Sequence, residues 1–202
     1  MAVTGPIAKD ALARLFSAEN CRTFRKFLNK PVPADVLKSI YENLKWGPTA
    51  FNCTPLRIVY VESAESKEKL KQCLMPTNVP AVASAPVTAI LAVDKNFVEH
   101  IDRLNPGYAI AGEFYRSHPE YVGSSAELNG TLQMGYFIAV ARAHGLDIGP
   151  MSGFSVEAVN KAFFDGTDCS AKIIVNLGYA DPEGVVYPRN PRLKYEEAVK
   201  IV

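Results

Sequence analysis

Ser125-Ala126-Glu127-Leu128-Asn129-Gly130-Thr131-Leu132-Gln133-Met134-Gly135-Tyr136-Phe137-Ile138-Ala139-Val140-Ala141-Arg142-Ala143-His144 is the strongest helix signal in the chain, and Gly145 closes it as a C-terminal stop. From Met134 onward the stretch is apolar around much of its circumference. An ordinary surface helix has a single apolar stripe, so a helix apolar on most sides must be covered on most sides. It reads as a central helix or a subunit-interface helix, with His144 in its last turn as a cap that complements the dipole.

The segments that could cover it lie on both sides in sequence. Pro86 to Val93 reads as a buried strand, because Val87, Ala89, Ile90, Leu91, Ala92 and Val93 leave little polar face. Arg57–Val61 and Lys172–Leu177 are further strands, β-branched and apolar. Helices are expected over Ile7–Ser17, with Leu12, Leu15 and Phe16 on the apolar side, and over Ala34–Lys45, where Leu37, Ile40, Tyr41 and Leu44 recur at helical spacing. Pro33 suits a helix start. A polar bend, Ala18-Glu19-Asn20, follows the first helix. Ser63 caps a helix through Leu74, with Glu65 in its first turn, and another helix covers Val156–Phe164. Residues 97–123 read as a short helix and an irregular excursion rich in Tyr, Phe and Pro. The tail Tyr187–Arg192 leads into a short amphipathic segment, Tyr195–Val202. Helices outnumber strands and no regular βαβ alternation appears. The fold class is α+β: a central mixed, mainly antiparallel sheet surrounded by helices, in one domain over 1–202.

Composition narrows the functions. The 202 residues suffice for a sizeable core, and 48% hydrophobic with 21% charged residues is ordinary for a globular protein. Lys and Arg number 22 against 21 Asp and Glu, a net charge of +1, which argues against a nucleic-acid or polybasic membrane surface. Any anion must be met by a few placed arginines. No apolar run reaches the ~18 residues of a membrane span. Cys21, Cys53, Cys73 and Cys169 show no CxxC pair or metal-ligand spacing, and no secretory signal is evident, so reduced thiols in a cytoplasmic protein are expected. His100, His118 and His144 lack metal-binding spacing, and neither a G-x-G-x-x-G nor a Walker loop is present.

Four stretches could carry chemistry. Trp46-Gly47-Pro48-Thr49-Ala50-Phe51-Asn52-Cys53-Thr54-Pro55 contains no charged residue, yet offers hydroxyl and amide groups between prolines and beside aromatic rings. Such a loop can lay donors and acceptors along the edge of a flat, uncharged heterocycle. Cys21-Arg22-Thr23-Phe24-Arg25 sets two arginines around a hydroxyl, and Pro188-Arg189-Asn190-Pro191-Arg192 holds two more between prolines. Taken alone, the first cluster reads better as surface charges and the second is equally a common charged loop, and spacing cannot show whether the two meet. Gly149-Pro150-Met151-Ser152-Gly153-Phe154 lets backbone approach a ligand closely, or is an ordinary turn. Its order is not the G-x-S-x-G elbow of a serine hydrolase.

Taken in order, these segments resemble the FMN-dependent nitroreductase family: an arginine-containing phosphate segment, a helix, a P-S-x-x-N-x-Q-P-like loop, a long central helix, a glycine-containing flavin loop and a basic C-terminal segment. The likeness extends to a branch that includes the malonic semialdehyde reductases. The resemblance implies an intertwined homodimer with FMN at the subunit interface. Arg22, Thr23 and Arg25, joined by Arg189 and Arg192, would hold the phosphate or ribityl oxygens. Pro48, Thr49 and Asn52 would serve the flavin of the opposite subunit, Asn78 the polar edge of the ring, and Pro150, Met151, Ser152 and Gly153 the isoalloxazine. Cys21 stands where many members have another arginine, and Ser152 where some have glutamate. The implied reaction is ping-pong hydride transfer from NADPH or NADH through FMN to a small-molecule acceptor, such as malonic semialdehyde yielding 3-hydroxypropanoate. A broad nitro or quinone acceptor range, or flavin binding without turnover, are the alternatives. No side chain is required as nucleophile or general base, no metal is expected, and the flavin carries the chemistry.

Overall fold

In the computed structural model, residues 9–17, 21–184 and 187–202 are described; the expected helix start at Ile7 and the bend Ala18-Glu19-Asn20 lie outside them. Four strands form one sheet: β1 (Leu56–Val61), β2 (Val87–Asp94), β3 (Asp147–Met151) and β4 (Cys169–Gly178), in the order β1-β2-β4-β3. Each of the three pairings is antiparallel.

The sheet is covered on both faces, which explains why β2 is apolar throughout. Side chains alternate across a strand. Val87, Ala89, Leu91 and Val93 of β2 therefore pack with Leu37, Ile40 and Leu44 of α2 (Ala34–Leu44) and with Met134, Phe137 and Ala141 of the long central helix. Ile90 and Ala92 face the other way. They meet Leu70 of α3 (Ala64–Lys71), Val82 of α4 (Val79–Ser84) and Val159 of α8 (Val156–Phe163). All eight β2 residues are buried. The polar one among the inner β2 positions, Thr88, donates its hydroxyl to Oδ1 of its cross-strand partner Asn176 at 2.8 Å.

The central helix, α7, spans Glu120–Ala143, five residues earlier than the sequence suggests. Gly123, Ser124 and Ser125 have weak helix propensity and mask the first turns. Gly130 lets α7 lie close on β2: a Cβ there would fall 2.1 Å from Cγ1 of Val93. His144 is the C-cap, its ring 3.1 Å from the Asn43 amide.

Three further differences matter for the site. The 97–123 excursion is two helices, α5 (Val98–Leu104) and α6 (Ile110–Ser117), split at Pro106-Gly107 and joined by an Arg116–Asp102 ion pair of 2.9 Å. They enclose a small third core of Cys53, Phe97, Ile101, Ala111, Tyr115 and Ala126. Gly149-Pro150-Met151, expected within a ligand-approaching loop or a turn, ends strand β3, which among the described residues pairs with no strand but β4, so Pro150 costs no second ladder bond. The helix after Ser63 ends at Lys71 rather than Leu74; its cap is as expected, with the Ser66 N–H donating to Ser63 Oγ at 3.1 Å. Helix α1 (Lys9–Phe16) packs on α7, and the tail holds one helical turn, α9 (Tyr195–Ala198).

Candidate functional site

An extended segment borders β3. The Phe24 N–H donates to Ile148 O at 2.9 Å, and a little further on the Leu28 N–H donates to Tyr179 O at 2.8 Å. This approach requires glycine opposite, because a Cβ on Gly149 would lie 2.4 Å from the Phe24 carbonyl. Arg22 and Thr23 are thereby fixed at the sheet's edge. The tail segment returns to the same place. Arg189 Nη2 donates to Cys21 O at 2.9 Å, and Arg22 Nη2 donates to Tyr187 O. The two arginine segments thus meet, 165 residues apart, and are cross-linked in both directions.

Between them lies an open cleft of about 520 Å³, lined by Arg22, Thr23, Arg142, Arg189 and Arg192 together with Phe16, Ser17, Cys21, Tyr187, Pro188 and Asn190. Four guanidinium groups converge there and no carboxylate is among the lining residues. Arginine stays protonated at any working pH. Such a cluster is self-repelling unless an anion sits among it, and the spare N–H donors suit phosphate oxygens. The donor set fits the FMN phosphate. Arg142 was not anticipated from sequence; its Nη1 donates to Leu15 O at 2.9 Å and ties the last turn of α7 to α1. A lone basic residue near the end of an apolar helix was the available signal.

Arg25 points elsewhere. Its Nη2 donates to Thr77 O at 2.5 Å and approaches Asn78 Oδ1 at 3.5 Å. Asn78 is buried, and its Nδ2 donates to Gly153 O at 2.9 Å, an oxygen that also accepts the Met75 N–H at 3.0 Å. A Cβ on Gly153 would fall 2.5 Å from Asn78 Nδ2, so the backbone is held tightly there. Arg25, Asn78 and Gly153 form one connected group, beside the cleft's own arginines in sequence but not among its lining residues. Pro150 and Met151 close β3, while Ser152 and Gly153 lie beyond it, with Ser152 exposed.

The loop from Trp46 to Pro55 contributes no residue to the arginine cleft of its own chain. It contains one 3-10 turn, Ala50–Asn52, and three non-glycine residues at positive φ: Phe51 (49°), Asn52 (47°) and Thr54 (38°). Thr49 Oγ1 accepts the Thr54 N–H at 3.3 Å, and Asn52 Nδ2 donates to Leu104 O at 3.0 Å. The Pro48 carbonyl accepts the Tyr136 hydroxyl at 3.1 Å, and the Ala50 N–H donates to Asn129 Oδ1 at 2.8 Å. Phe51 stacks on Tyr108, with centroids 6.1 Å apart, and meets Phe114 and Tyr115. Cys53, within this loop, is buried, and burial pushes its thiol up to about 11, which leaves it protonated and inert at neutral pH.

A sequence profile described as the Nitroreductase family matches residues 18–179. The chain belongs to the nitroreductase family. A protein of Stenotrophomonas maltophilia (strain K279a), provisionally named NADH dehydrogenase/NAD(P)H nitroreductase, is 46% identical over 191 residues, 95% of each chain. One of Stutzerimonas stutzeri (strain A1501) with the same provisional name is 44% identical, covering 96% of each. Among solved structures, a provisionally assigned nitroreductase of Exiguobacterium sibiricum 255-15 in complex with FMN superposes with a TM-score of 0.82 at 20% identity, over 98% of this chain and 100% of that one. An enone reductase of gut-bacterial fatty acid saturation gives 0.78 at 21% identity, over 98% and 100%. At such identities the likeness is one of fold. Within this nitroreductase-family chain the arginine cleft, the Arg25–Asn78–Gly153 group and the uncharged loop are the parts available for binding.

Proposed function

We propose that the protein is an FMN-dependent NAD(P)H oxidoreductase that works as an intertwined homodimer. The observation that carries this reading is the four-arginine cleft without a carboxylate, built where the two basic segments cross-link. FMN, when bound, supplies hydride acceptance from NADPH or NADH and hydride delivery to a second substrate. The chain's part is to hold and orient. Arg22, Arg142, Arg189 and Arg192 neutralise the phosphate, Thr23 adds a hydroxyl donor, and the Gly153 backbone, fixed by Asn78, presents the Ser152–Gly153 amides to the ring. Pro48, Thr49 and Asn52 serve the flavin of the second subunit.

The dimer is supported by what one chain leaves open. Leu128 and Leu132 stand exposed four residues apart on α7. Strand β1 pairs with β2 alone among the described residues, so one edge is free. A cleft of about 430 Å³ beside that strand is lined by Tyr41, Arg57, His100 and Arg103; Arg57 is paired with Asp94 at 2.6 Å, and Arg103 is opposite in charge to Glu196 and Glu197 of the exposed tail. A second copy's tail laid there would cover the edge and interlock the subunits.

As acceptors we favour nitro compounds and quinones. The relatives at 44–46% identity carry nitroreductase names, and the Phe51–Tyr108 stack offers a flat apolar wall. The branch motifs add malonic semialdehyde as a third acceptor to test. Four free cysteines, and no helix long and apolar enough to cross a membrane among the described residues, support a cytoplasmic setting. The decisive experiment is an absorption spectrum of the purified protein followed by anaerobic mixing with NADPH and NADH. Bound-flavin bands that bleach with either donor are expected. A colourless protein that takes up no FMN, or a flavin that stays oxidised with both donors, overturns the reading. Steady-state rates with a nitroaromatic, a quinone and malonic semialdehyde then rank the acceptors.

A further inference from the structure

The loop from Pro48 to Leu56 holds a backbone that it cannot keep by itself. Three L-residues in the left-handed region within four positions, Phe51, Asn52 and Thr54, persist only where surrounding contacts over-determine them. Three of the contacts that fix the loop around them come from one stripe of α7. Asn129, Gln133 and Tyr136 stand at i, i+4 and i+7, and so share a face. Asn129 Oδ1 accepts the Ala50 N–H at 2.8 Å, Gln133 Oε1 accepts the Leu56 N–H at 3.0 Å, and the Tyr136 hydroxyl donates to Pro48 O at 3.1 Å. Asn129 and Gln133 are each only 3% exposed, on the buried side of a helix whose Ala126, Met134 and Phe137 are apolar core. Helix packing alone is served by leucine at such positions; a buried amide there serves its partner.

Ala50 sits between Thr49 and Asn52, the two residues expected to face the second subunit's flavin. We propose that Asn129 is a positioning residue of the flavin site: by accepting the Ala50 N–H it sets where Thr49 and Asn52 stand. This rests on the flavin reading above. Asn129 acts through the loop and touches neither flavin nor substrate. Its own Nδ2 is anchored on Ser125 O at 2.9 Å, which fixes the carboxamide orientation. From the opposite side Asn105 Nδ2 donates to Phe51 O at 2.6 Å, so the loop is gripped between α7 and the end of α5.

The test uses the full-length protein, with FMN affinity read by quenching of flavin fluorescence and apoprotein melting read alongside. Asn129→Leu keeps the volume and leaves the Ala50 N–H buried without an acceptor; FMN affinity is expected to fall about tenfold or more. Ala50→Pro deletes the donor at a position compatible with proline, since Thr49 before it is extended (φ −136°, ψ 156°) and Ala50 opens the turn. With Ala50→Pro in place, Asn129→Leu should cause no further loss. Wild-type FMN affinity in Asn129→Leu, or losses that simply multiply in the double variant, overturn the proposal. The Ala50→Pro arm decides the matter if Asn129→Leu fails to fold. A wild-type protein that binds no FMN instead overturns the flavin reading itself and removes this inference with it.

Discussion

Arg22 and Arg189 each donate to a backbone carbonyl of the other's segment, so truncating either has two consequences. One anion contact is lost, and one latch between the tail and the sheet edge is opened. A charge-assisted hydrogen bond contributes about 1.5–3 kcal/mol, so Arg22→Ala or Arg189→Ala should weaken FMN about 10- to 100-fold. Neither is part of the apolar core, and melting of the apoprotein should barely move. Wild-type FMN affinity in both variants, measured by equilibrium dialysis, would speak against a shared phosphate site. Cys53 makes a different prediction. Its thiol, ordinarily at 9.0, is raised to about 11 because burial penalises the thiolate. A raised folded-state pKa means the folded chain holds the proton more tightly. The associated stability is complete below about pH 9 and is lost as pH climbs through about 11, on the order of 2–3 kcal/mol in all. Urea unfolding from pH 8 to 10.5 should show this decline, and Cys53→Ala should flatten it. Tyr60, raised to about 12 by burial, adds a decline of the same sign at higher pH. A slope unchanged by Cys53→Ala would remove the assignment.

Two glycines set how closely elements approach. At Gly130 an added methyl would stand 2.1 Å from the buried Val93 side chain. Alanine gains up to about 1 kcal/mol of helix propensity over glycine, but overpacking a closed core costs about 1–3 kcal/mol. Gly130→Ala should therefore destabilise by about 1–2 kcal/mol in urea titration; a stabilised variant would mean that α7 can shift off β2. At Gly149 the obstacle is the Phe24 carbonyl, a backbone atom that cannot rotate away. Gly149→Ala should displace the 21–27 segment and weaken FMN even though no ligand contact is removed. The same elements show what a linear reading can reach. The period of Met134–Ala141 and the Gly145 stop made the second half of α7 legible, and β2 was legible because both its faces are covered. Asp147–Met151 was not: Gly149 and Pro150 are turn-like in composition, and their strand is permitted only by an edge position that pairing decides. The split of 97–123 into α5 and α6 was hidden because its apolar residues face a small separate core. At the site, both arginine segments were visible in sequence. Their meeting was not, because nothing local records a contact across 165 residues. Asn129 and Gln133 carry no mark in the sequence that separates them from surface amides; only their burial, at i and i+4, shows that they have partners elsewhere.

At the scale of the whole molecule, the arginine cleft of one chain would, on the proposed reading, hold the phosphate end of a flavin, while the uncharged loop stands outside that cleft. If both serve one flavin, the missing wall comes from a second copy, and cofactor retention must depend on association. Leu128 gives the sharpest access to this. It is 71% exposed on α7, and a substitution at such a position in a monomer would ordinarily change stability by no more than about 0.5 kcal/mol. In a dimer closed across α7, Leu128→Glu would bury an unpaired carboxylate in each half of a symmetric interface, a strongly unfavourable outcome. The expected result is a halved mass by light scattering at micromolar concentration, release of FMN and a lower melting temperature, with the apoprotein fold retained by circular dichroism. Dilution of the wild-type protein should likewise release FMN in step with dissociation, because a ligand bound across two chains stabilises their association by mass action. A Leu128→Glu protein that remains a dimer with its flavin would exclude this face from the interface, and a wild-type monomer that holds FMN tightly would place the whole site within one chain.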